Sequence, residues 1–135
     1  SAIAREGALK LKEVAYLHAE ALVAGELKHG PIALIESEKP LCTKIMLIIN
    51  EDETQKEMEL TLSEVNARSA YTIVLTDCKS INECKINQKI EIPRLGVMNG
   101  LLYTVAFHLV SLELAYLRGI NPDKPRNLAK TVTVL

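Results

Sequence analysis

Residues 44–49, Lys-Ile-Met-Leu-Ile-Ile, form a run that is continuously apolar after Lys44. An unbroken run, as opposed to an apolar/polar alternation, is the mark of a strand covered on both faces, and such strands belong to parallel sheets. A second buried strand is read at Tyr71-Thr72-Ile73-Val74-Leu75. Between the two, the acids Glu51, Asp52 and Glu53 precede a helix that carries Met58, Leu62 and Val65 at core spacing. The acids suit the positive end of that helix. A shorter strand, Lys89-Ile90-Glu91-Ile92, stops at Pro93. Strands alternating with helices predict right-handed βαβ units in an α/β layered fold.

Residues 2–23 are rich in Ala, Leu, Glu and Lys and contain no Pro, which predicts a helix of several turns, ended by Gly25 and then Gly30-Pro31. A second long helix is predicted over residues 97–118. Its apolar residues Leu101, Leu102, Val105, Leu109, Leu112 and Tyr116 cover more than a narrow stripe, so it is either central or packed against a partner. The last stretch, residues 119–135, holds Pro122 and Pro125 and reads as an extended segment. There is no internal repeat and no linker that points to a second domain, and a chain of 135 residues is economically read as one core.

Composition removes several function classes. With a net charge of -1 there is no broad basic field for nucleic acid or an anionic membrane surface. Cys42, Cys78 and Cys84 are scattered and form no C-x-x-C pair, so neither a disulfide framework nor a zinc site is indicated. A reducing compartment fits, and the opening SAIAREGALK lacks the apolar core of a secretory signal. His108, Ser111 and Glu113 interrupt the apolar stretch from Leu101 to Leu117, which falls short of the ~20 residues of a membrane span. The expectation is a cytoplasmic protein without nucleic-acid or membrane partners. No dinucleotide, Walker-type, zinc-protease or serine-hydrolase motif is present.

Glu6, Lys10 and Glu13 are spaced by four and then three residues, which puts them on one face of a helix. Spacing alone fits a solvated stripe, in which Glu6 and Lys10 form an ordinary i, i+4 pair worth ~0.3–0.5 kcal/mol. It also fits a site, because a carboxylate base beside an ammonium group is what proton transfer next to a carbonyl or imine requires. His29 lies in Glu26-Leu27-Lys28-His29-Gly30-Pro31, where Gly and Pro restrict the backbone, and is a candidate acid or base. His18 and His108 fall inside the predicted helices and are read as structural. In the tail, Arg126 and Lys130 offer two cations.

Four segments carry a resemblance. They are Glu6-Gly7-Ala8-Leu9-Lys10-Leu11-Lys12-Glu13, His18-Ala19-Glu20-Ala21, Gly25-Glu26-Leu27-Lys28-His29-Gly30-Pro31 and Pro125-Arg126-Asn127-Leu128-Ala129-Lys130-Thr131-Val132-Thr133-Val134. Together, and in this order, they resemble the isomerase module of the glutamine:fructose-6-phosphate aminotransferase (isomerizing) family, the glucosamine-6-phosphate synthases. The resemblance implies a sugar-isomerase (SIS), flavodoxin-like fold with a mainly parallel sheet flanked by helices. Residues 1–135 would be the second SIS subdomain, with 119–135 as a C-terminal active-site tail. The family's glutaminase and first SIS subdomain, which supplies most of the sugar-phosphate grip, would be missing.

Position by position, the resemblance implies that Glu13 moves the proton between C1 and C2 of the sugar imine, flanked by Lys10 and Glu6. His29 matches the histidine that assists ring opening from a neighbouring subunit, which implies a homodimer. Lys130 matches the lysine that closes over the sugar, and Ala129 contributes backbone contacts. Leu135 stands where the family usually has a glutamate. The implied ligands are fructose 6-phosphate and glucosamine 6-phosphate, with no metal or organic cofactor, and the fragment alone is expected to be inactive. The alternatives are a non-catalytic SIS phosphosugar-binding module, another SIS aminosugar-phosphate isomerase or deglycase, and a unit retained only for dimerisation.

Overall fold

The computed structural model describes residues 2–38, 42–81 and 86–128. In chain order the elements are α1 (Ala2–Ala15), β1 (Lys44–Ile49), α2 (Gln55–Asn66), β2 (Tyr71–Thr76), β3 (Gln88–Glu91) and α3 (Asn99–Leu117). Short 3-10 helices lie at Ala24–His29, Pro31–Leu34 and Gly96–Met98. Two compact units divide the chain: one is Leu22–Tyr103, the other Ala2–Ala21 together with the chain from Thr104 onward.

The first unit is built on the apolar runs. β1, β2 and β3 form a parallel sheet in that order. Lys44 lies opposite Tyr71 and Ile49 opposite Thr76 across the first pair, and Ile73 lies opposite Gln88 across the second. Parallel neighbours need a crossover, and α2 supplies it between β1 and β2. Its entry is set by Asp52, whose carboxylate accepts the Thr54 backbone N–H at 2.8 Å and the Thr54 hydroxyl at 2.6 Å. The Thr54 hydroxyl is the main reason that this carboxyl lies below its ordinary range. The core joins Leu47 and Ile49 of β1, Leu62 of α2, Val74 of β2, and Cys78 and Ile81 beyond it, with Ile45, Met58 and Ile86 at its border. Of the expected α2 core residues, Leu62 and Val65 are buried and Met58 is half-buried. The expected strands fall where the runs placed them, to within a residue or so at each end.

Burial pushes the Cys78 thiol up from its ordinary value, and the thiol donates to the Ile49 carbonyl. This cysteine is core material, not a reactive group. Cys84 lies outside the described residues.

In the second unit, α1 and the later turns of α3 meet where Gly7 faces Phe107. A Cβ added to Gly7 would sit 2.5 Å from the ring, so only hydrogen fits there. Ala8, Ala15, Phe107, Ser111 and Ala115 are buried.

Helix α1 stops at Ala15, well short of the expected residue 23. Composition gave no stop signal there, and the end is closed by the Leu17 N–H donating to the Leu11 carbonyl at 3.0 Å. Tyr16 takes a left-handed backbone (φ 53°), an unfavourable conformation for a non-glycine residue. Arg126 offsets this cost. Its backbone N–H donates to the Tyr16 hydroxyl at 2.7 Å, and its guanidinium stacks 4.3 Å from the centre of the Tyr16 ring. The tail between residues 121 and 127 runs through turns, where an extended segment was expected. Asn121 accepts the Asp123 N–H on its side chain, and Asn127 is itself left-handed.

In α3, Tyr103, Phe107, Ser111 and Ala115 recur every four residues and are buried. Leu101, Val105, Leu109 and Tyr116, part of the stripe singled out in the sequence, are 60%, 51%, 57% and 59% exposed. Gly96–Leu117, 22 residues with a mean hydropathy of 1.5, is long and apolar enough to cross a membrane by length and composition, contrary to the expectation from the sequence. The regular buried stripe is that of a helix packed into a domain.

Candidate functional site

Helix α1 holds Glu6, Lys10 and Glu13 on one face because 3.6 residues per turn stacks positions 6, 10 and 13. Lys10 Nζ donates to Glu13 Oε2 at 2.8 Å and lies 3.6 Å from Glu6 Oε1. The three side chains are half-buried, at 37%, 27% and 32% exposure for Glu6, Lys10 and Glu13. The hydrogen bond to Glu13 raises the Lys10 pKa above its ordinary value, partial burial opposes this, and the charges of Glu13 and Glu6 add to the rise. Lys10 is therefore held as a cation between two carboxylates.

A fourth group joins them that the sequence pattern did not select. His108 of α3 approaches Glu6 Oε1 with Nε2 at 3.4 Å. The two residues are 102 positions apart, so no local periodicity could have paired them. The signal in the sequence was the ring of Phe107, one residue before His108, matched to the glycine one residue after Glu6.

His29 ends a 3-10 helix in the sheet-bearing unit and is exposed, followed by Gly30 at φ 149°, a conformation that favours glycine. Ala129 and Lys130 lie outside the described residues, as does Leu135. Within the tail motif, Arg126 contacts Tyr16, just past the end of α1. His18 is non-helical and exposed, 3.9 Å from Glu20. Among the described residues there is no cluster of His, Cys, Asp and Glu able to hold a metal ion.

Chemically, a half-buried carboxylate with one oxygen fixed by an ammonium group is oriented and still reachable. That arrangement can take a proton from a carbon acid and leave a cation beside the charge that develops.

The chain is 42% identical over 134 residues to the glutamine--fructose-6-phosphate aminotransferase [isomerizing] of Pseudomonas aeruginosa, and 44% identical over 133 residues to that of Pyrobaculum aerophilum. Each alignment takes in 98% of this chain and 21% of the relative, so the chain spans about a fifth of the length of these curated relatives. The C-terminal domain of glucosamine-fructose-6-phosphate aminotransferase from Francisella tularensis superposes with a TM-score of 0.79 at 33% identity, over 90% of this chain and 34% of that one. The matching region in these aminotransferases is their C-terminal part, and the pattern of the SIS domain matches residues 1–116. The chain belongs to the SIS domain family.

Proposed function

We propose that this chain is the second SIS subdomain, with residues 119–135 as its active-site tail, of an enzyme that makes glucosamine 6-phosphate from fructose 6-phosphate and glutamine. The observation that carries the reading is the Lys10–Glu13 hydrogen bond of 2.8 Å, made by two half-buried groups on a segment that matches the relatives. Ammonia from glutamine forms an imine at C2 of the open-chain sugar phosphate, with loss of the C2 carbonyl oxygen as water. The Glu13 carboxylate then removes a proton from C1, and the C1–H electron pair forms the C1–C2 double bond of an enolamine as the imine nitrogen takes up a proton; the abstracted proton is returned to C2 while the C1 hydroxyl gives up its proton and becomes the carbonyl. The product is the aldose carrying an amino group at C2. Lys10 stabilises negative charge during the transfer, and Glu6 holds Lys10. His29 assists ring opening, Lys130 closes over the sugar, and Ala129 contributes backbone contacts.

The domain works in the cytoplasm as part of a homodimer, in which His29 serves the neighbouring subunit. The exposed apolar residues of α3 support self-association, since an apolar helix face of this kind marks an interaction surface. The 135-residue chain by itself makes no sustained product, because the ammonia source and the phosphate grip belong to other parts of the enzyme.

The test is Glu13→Gln in the full-length protein. The amide keeps the size of the side chain and removes its basicity, so product formation should fall by ~10² or more while glutamine hydrolysis continues. Normal synthesis by a folded Glu13→Gln enzyme would rule out the assignment and favour a module that only binds a phosphosugar.

A further inference from the structure

We infer that His108 is a positioning residue for the proton-transferring carboxylate, acting on Glu13 through Glu6 and Lys10. The inference rests on the reading of Glu13 given above. Glu6 Oε1 is approached from two sides, by Lys10 Nζ at 3.6 Å and by His108 Nε2 at 3.4 Å, while Lys10 keeps its short bond of 2.8 Å for Glu13. On a helix an acid four residues N-terminal to a lysine is the favoured partner, so the short bond to Glu13 in place of Glu6 calls for a cause. An imidazole that donates to Glu6 Oε1 supplies the reason, because it occupies the oxygen that Lys10 would otherwise approach.

His108 is held for this purpose by its neighbour. Phe107 is 4% exposed and its ring lies against the bare backbone of Gly7, so the consecutive pairs Gly7–Phe107 and Glu6–His108 are set by one close approach of two helices. An exposed histidine on a free surface would have no such registration. His108 remains 49% exposed and is not needed for the core, which separates its role from that of Phe107.

Without the imidazole, Glu6 draws Lys10 back and the Glu13 oxygen loses its fixed donor. The expected result in the full-length enzyme is that His108→Leu lowers kcat by about 3- to 30-fold, less than the ~10² that an ångström of misplacement costs at a reacting group. KM for fructose 6-phosphate should stay within about twofold, since His108 does not touch the sugar. His108→Gln, whose amide donates to the same oxygen, should recover most of the loss. A crystal structure of the His108→Leu domain should show Lys10 Nζ moved towards Glu6 and its bond to Glu13 lengthened. The inference is overturned if His108→Leu keeps its kcat, if the glutamine variant fails to recover it, or if Lys10 stays on Glu13 in the variant structure. Should Glu13→Gln prove fully active while Lys10 moves as expected in His108→Leu, the positioning geometry stands and the proton-transfer reading falls.

Discussion

Asp77 in the sheet-bearing unit and the two acids of α1 are held in opposite ways. In the sheet-bearing unit, Asp77 at the end of β2 is 9% exposed and is committed to fixed groups: its Oδ1 accepts the Glu51 backbone N–H at 2.8 Å, and its Oδ2 accepts the Asn99 amide. In the α1-bearing unit, Glu6 and Glu13 are about one-third exposed and bind a lysine and a histidine. An acid tied to backbone is holding a loop to a helix. An acid tied to other ionisable side chains, and left partly open, is free to act on something else.

The comparison predicts a ranked series of stability effects. Asp77→Ala should be the most damaging, at about 3 kcal/mol by urea unfolding, because it removes a buried carboxylate that is the shared acceptor of a part-buried backbone N–H and a part-buried amide. A cost under about 1 kcal/mol would erase the distinction between the units. Gly7→Ala comes next at about 2 kcal/mol, since the new Cβ must displace the Phe107 ring. Adding Phe107→Leu to Gly7→Ala should recover part of that loss in the same unfolding assay. Tyr16→Phe removes the acceptor of the Arg126 N–H and should cost about 1 kcal/mol, with proteolysis of the tail as a second readout.

Glu6→Gln should lie within about ±0.5 kcal/mol, because partly exposed ion pairs add little to stability. A much larger cost would mean that the α1 acids are structural after all. The smallest effect concerns pH. Lys10 has a raised pKa in the folded state, so the stability that it contributes is whole below its ordinary value of 10.5 and is lost as pH rises through the higher folded value. The difference in unfolding free energy between wild type and Lys10→Met should therefore stay constant from about pH 6 to pH 10 and shrink only above that.

The sheet was legible because a fully apolar run has few other uses. Residues 44–49 and 71–75 each found their strand, and the acids before α2 marked its start. What was not legible depended on residues far away in sequence. No composition rule ends α1 at Ala15: Tyr16 turns left-handed, the Leu17 N–H donates back to the Leu11 carbonyl, and the Tyr16 hydroxyl accepts from Arg126, 110 residues later. The apolar stripe named in α3 was partly on its outer face, because that helix is apolar nearly all round and hydropathy alone could not rank its faces. At the candidate site, Glu6, Lys10 and Glu13 could be grouped from helical spacing, whereas His108 could be added only once two helices had crossed.

The contact of Gly7 with Phe107 makes the spacing of the two helices a property of one aromatic ring. The ring acts as a shim: its thickness, and not a choice among flexible rotamers, sets how far apart the two backbones stand. Among related chains, a side chain at position 7 should therefore travel with a thinner residue at position 107. That linked exchange would let the helix separation, and with it the reach from position 108 to position 6, be read from an alignment before any coordinates are known.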